Sequence, residues 1–90
     1  MQVLELNQIV PDPSYIYYRR NYAAVAKLQM LSKTIDIKIS FTIETGPLGD
    51  KMLYVDIDPG EDIDYPLIPV KSALKTYILK ADEEGVLPCP

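Results

Sequence analysis

Histidine and tryptophan are absent from this chain of 90 residues, and cysteine occurs once. Without an imidazole, the usual zinc-ligand sets, the Ser–His and Cys–His nucleophile pairs and the near-neutral general base are all missing. The single thiol, Cys89, rules out an internal disulfide. No apolar run approaches the roughly 20 residues that a membrane-spanning helix needs, and the four glycines form no phosphate-cradling loop. Enzymes that work with Asp, Glu, Lys or Tyr alone survive these absences but are a minority. The expectation is therefore a protein that is not an enzyme, with no metal and no cofactor. The first residues, "MQVLELNQIV", have no basic leader and carry Glu5 among their apolar side chains. They do not resemble a secretory signal, so the expected location is cytoplasmic.

Hydrophobic residues make up 48% of the chain and charged residues 24%, the balance of a globular domain rather than a disordered segment. At this length a second core would starve the first, so one domain over 1–90 is expected. The formal charge of −4 opposes nonspecific attraction to nucleic acid or anionic lipid. Eight prolines mark the ends of elements.

"TIDIKISFTIET" is the clearest element. Ile35, Ile37, Ile39, Phe41 and Ile43 alternate with polar residues, as in a strand with one dry and one wet face. "GPLGD" turns the chain, with Pro47 at the first corner and Gly49 in a left-handed position, and "KMLYVDID" alternates again. This predicts a hairpin of 35–44 with 52–58. Pairing Ile43 with Leu53, Phe41 with Val55 and Ile39 with Ile57 keeps every apolar residue on one face, whereas a one-residue slip would mix Ile with Asp.

Before the hairpin, "QVLELN" reads as a strand with Leu4 and Leu6 inward. Asp12 and Pro13 suit a helix start, and the many helix formers that follow predict a helix over 13–31. A strand reading competes there, since Tyr22, Ala24, Ala26, Leu28 and Met30 alternate. After the hairpin, Val70, Ala73, Leu74, Tyr77, Ile78 and Ala81 recur at helical spacing. They predict a C-terminal helix over 70–84, ended by Gly85, with Val86 folding back on it. The fold class is α+β: a small antiparallel sheet, formed by the N-terminal strand and the hairpin, with two helices packed on it.

Two stretches have the residue types of a binding site. "DIDPGEDID" brings Asp56, Asp58, Glu61, Asp62 and Asp64 into one acidic loop. As a calcium loop it fails, because the turn glycine would fall at Glu61 and the bidentate acid at Leu67. As a protein-facing rim it fits a basic partner, with Tyr54 as an aromatic anchor. "YIYYRRNY" combines planar guanidinium forks with aromatic faces, so Tyr17, Tyr18, Arg19, Arg20 and Tyr22 form the alternative, a phosphate or base site. The leading expectation is a non-catalytic protein-binding module, an adaptor, inhibitor or regulatory subunit acting through the acidic loop and a sheet face or edge. Homodimerisation through an exposed edge fits the same reading. The alternative is a nucleotide, phosphate or single-strand binder.

Overall fold

A computed structural model describes residues 1–13, 18–61, 63 and 65–88. Four strands, β1 (Gln2–Pro11), β2 (Arg19–Gln29), β3 (Thr34–Thr45) and β4 (Lys51–Ile57), precede one helix, α1 (Leu67–Glu83). The strands form an antiparallel meander in the order β1-β2-β3-β4. Among the described residues there is no helix long and apolar enough to cross a membrane.

The hairpin pairs in the expected register: Ile43 faces Leu53, Phe41 faces Val55 and Ile39 faces Ile57. Gly49 takes the left-handed conformation, with φ of 85°, and its N–H donates to the Gly46 carbonyl, closing the turn around Pro47. Side chains on one side of β3 are buried and those between them are exposed or half-exposed.

The helix expected over 13–31 is not formed; Arg19–Gln29 is a strand, and residues 14–17 lie outside the described residues. Intrinsic propensity for helix is a weak preference of a few tenths of a kcal/mol per residue. Here it is opposed by ladders on both sides, because β2 pairs with β3 along its whole length and with β1 across its other edge. Strand geometry also resolves the amphipathic pattern. Tyr22, Ala24, Ala26 and Leu28 turn to the helix side and are buried, while Ala23, Val25 and Lys27 turn away.

β1 departs from expectation in its facing. Register shifts between Val3 and Glu5, and between Asn7 and Val10, insert extra residues that β2 does not match. Gln8 sits within the second shift at a φ of 51°. Each bulge reverses the alternation that follows it. Val3, Leu6 and Ile9 therefore reach the core at a spacing of three, and Leu4 is left exposed rather than inward.

α1 begins three residues earlier than the expected 70–84, at Leu67, with Pro66 as its N-cap. Pro69 falls in the first turn, where a missing N–H costs no intrahelical bond. At the other end Gly85 takes φ of 70°, and the Gly85 and Val86 N–H groups donate to the Asp82 and Ala81 carbonyls. The chain then folds back, but the residue that enters the core is Leu87. Val86, expected in that role, is exposed.

The helix lies along one face of the sheet, against β4 and β1. Val70, Leu74 and Ile78 meet Leu28, Phe41 and Ile43 in the core, all with almost no accessible surface. Each such side chain contributes roughly 1.5–3 kcal/mol on burial. The opposite face has no helix.

Candidate functional site

The helix-free face is built from the outward residues of all four strands. Its middle is low, because β2 and β3 place small side chains there, Ala23, Val25 and Ser40. With Lys38 and Asp56 beside them they bound a depression of about 420 Å³. This continues across Ala23 and Ser40 into a second depression of about 400 Å³ that reaches Val10, Asn21 and Thr42. The Thr42 hydroxyl donates to Asn21 Oδ1 at 2.6 Å, tying β3 to β2 at the floor.

Larger apolar side chains stand around this trough. Val10 is 59% exposed on the β1 side, and Met52 and Tyr54 are 52% and 45% exposed on the β4 side. The Tyr54 hydroxyl approaches Met52 Sδ at 3.8 Å, so the ring lies along its own strand. Asp56 is exposed on the same face of β4, next to Ser40.

Of the acidic set named from the sequence, Tyr54 and Asp56 are thus brought together on one face. Asp58 and Glu61 do another job. Asp58 Oδ1 accepts the Gly60 N–H at 2.9 Å, the Asp58 carbonyl accepts the Glu61 N–H, and the Asp58 N–H donates to the Lys38 carbonyl. Glu61 Oε1 in turn accepts the Lys38 N–H at 2.9 Å. The loop is pinned to β3 by these bonds. Asp62 and Asp64 lie outside the described residues. Among the described residues no group of three or more acidic or cysteine side chains is placed to hold a metal.

The tyrosine-arginine stretch is divided by the sheet. Arg19 and Arg20, adjacent on a strand, point to opposite faces. On the helix-free side Arg19 lies 3.7 Å from Glu44. On the helix side Arg20 donates to Asp82 Oδ1 at 3.0 Å, and Lys51 Nζ approaches Asp82 Oδ2 at 2.5 Å. Tyr22 is buried, stacked on Phe41 with ring centroids 4.9 Å apart. Its hydroxyl donates to the Pro88 carbonyl at 3.0 Å and accepts from Arg20 at 3.4 Å. Tyr18 is half-exposed near Pro47, and Tyr17 lies outside the described residues. These five residues do not converge on one site.

The Asp82 cluster escaped the sequence reading, which treated "ADEEG" only as acidic charge following the helix. A usable signal existed: Asp82 follows Ile78 by four residues, so it lies on the apolar stripe. Only 7% of its side chain is exposed. Burial by itself would push the Asp82 carboxyl up, but hydrogen bonds from Lys51 and Arg20, and their charges, hold it below the ordinary value of 3.8. Burial likewise opposes the charge on Arg20, and the bond to Asp82, with the nearby Tyr22, outweighs it and raises the guanidinium pKa. The cluster clamps the end of α1 to β2 and β4.

The chain belongs to the BB_0187 family, whose model matches residues 1–83 and so takes in every strand and the whole of α1. No curated protein and no solved structure matches it.

Proposed function

We propose that this chain is a non-catalytic protein-binding module whose contact surface is the helix-free face of the sheet. The observation that carries this reading is the asymmetry of that face: exposed Val10, Met52 and Tyr54 stand around a trough floored by Ala23, Val25 and Ser40. Tyrosine and methionine are enriched at interface centres, and apolar groups rimmed by polar ones mark docking surfaces. Tyr54 is the anchor and Asp56 the adjacent charge, which favours a basic group on the partner. The carboxylates of Asp58 and Glu61 support this surface by holding the loop against β3. A role of this kind needs neither metal nor cofactor, and the cytoplasm is its proposed compartment.

Ala23→Arg fills the trough with a long cation at an exposed position and leaves the core untouched. Affinity capture with the wild-type chain is expected to retain a protein that Ala23→Arg loses, while both chains give the same circular dichroism. Retention of the same protein by both would overturn the reading.

A further inference from the structure

The two outer edges of the sheet are unlike. The β1 edge is broken by two register shifts, by the positive φ of Gln8 and by Pro11. Such features block the addition of another strand. β4 has neither a bulge nor a proline. Its backbone polarity follows from one bond: the Asp58 N–H donates to the Lys38 carbonyl. Because antiparallel partners alternate, Met52, Tyr54 and Asp56 direct their backbone groups to β3, and Leu53, Val55 and Ile57 direct theirs outward. Among the described residues no bond engages these outward groups.

We propose that a second copy of this chain adds to that edge, β4 against β4, giving one continuous eight-stranded sheet with both helices on the same side. This goes beyond the docking face proposed above and uses a different surface, the strand edge.

The sequence of β4 is self-complementary in one register. With Val55 on the twofold axis, Leu53 faces Ile57 of the second copy, and both side chains are only half-buried in the single chain. On the helix side this joins the apolar row of one β4 to that of the other. On the helix-free side Tyr54 faces Asp56 of the second copy, a hydroxyl opposite a carboxylate, so like charges are not placed opposite each other. Pairing covers 52–58 and stops where Lys51, held by Asp82, would meet Pro59. A one-residue slip would bring outward backbone groups against inward ones and abolish the ladder.

The test reads both mass and edge. Sedimentation equilibrium of the wild-type chain is expected to show a monomer–dimer equilibrium. Amides of Leu53, Val55 and Ile57 should exchange slowly at high concentration and rapidly on dilution. Tyr54→Asp sets carboxylate opposite carboxylate twice, once on each side of the axis, and should weaken the dimer by about tenfold or more. Adding Asp56→Lys to that variant restores opposite charges and should restore the dimer. Circular dichroism confirms folding of each variant, whose changed residues are exposed. A wild-type chain that stays monomeric overturns the proposal, as does a dimer indifferent to Tyr54→Asp or one that leaves the three amides unprotected. Ala23→Arg, which lies two strands away from the β4 edge, is expected to leave the dimer intact, so the two proposals fail separately.

Discussion

β3 presents two different surfaces on alternate residues. Ile37, Ile39, Phe41 and Ile43 lie against the core with at most 3% of their surface exposed, whereas Lys38 and Ser40 face the other way and are open. The same backbone supports both, so its ladder cannot be what distinguishes them. The distinction comes from what covers each side. The helix side is where stability resides, and the helix-free side is left to vary its chemistry with little effect on the fold.

Substitutions at neighbouring positions test that division. Phe41→Ala removes a ring from the tightest part of the core and from its stack on Tyr22. A loss of about 3–5 kcal/mol is expected in urea unfolding. Ala26→Leu comes next: Ala26 has no accessible surface, so overpacking there should cost about 1–3 kcal/mol, while Val25→Leu, one residue away on the open side, should have little effect on the unfolding midpoint.

Asp82→Asn follows. It removes the charge between Arg20 and Lys51 and should cost about 1–2 kcal/mol, discounted because both cations are partly exposed. Its pH dependence has a definite sign. The Asp82 carboxyl is held below 3.8 in the fold, so the carboxylate stabilises the native chain above the unfolded value and loses that contribution as pH falls through the folded one. The stability gap between wild type and Asp82→Asn should be full above about pH 4 and close in more acidic solution. A gap that persists unchanged at lower pH would remove the ionic account of the cluster. Smallest of all, Ser40→Ala and Tyr54→Ala should stay within about 0.5 kcal/mol of wild type. A large loss at either would mean that the open face also supports the fold.

How well the sequence could be read followed the same division. In β3 and β4 each apolar residue alternates with a polar one, and only one register keeps Ile from facing Asp. In β2 the covered side is made of Ala24, Ala26 and Leu28 and the open side includes Ala23 and Val25. The contrast between its faces is faint, and residues with good helix propensity mimic a helix. β1 was misread for another reason. Its bulges are defined by pairing with β2, and a strand taken alone shows no trace of them.

The candidate surface was legible to the same extent. Tyr54 and Asp56 were placed on the wet side by alternation within β4. The trough beside them was not, since it exists only where β2 lies between β1 and β3. Arg19 and Arg20 illustrate the cost of a changed element: on a strand they sit on opposite sides, each with its own carboxylate.

Tyr22 carries a consequence of a different kind. Its ring is sealed against Phe41, and its hydroxyl touches both the segment after α1 and the arginine of the Asp82 cluster. In a chain with no tryptophan and a single phenylalanine, tyrosines provide nearly all of the near-ultraviolet optical activity. A ring fixed in asymmetric packing dominates such a signal, and freely turning surface rings contribute little. The protein therefore contains its own optical gauge of whether the end of the helix is closed on the sheet, readable without any attached label.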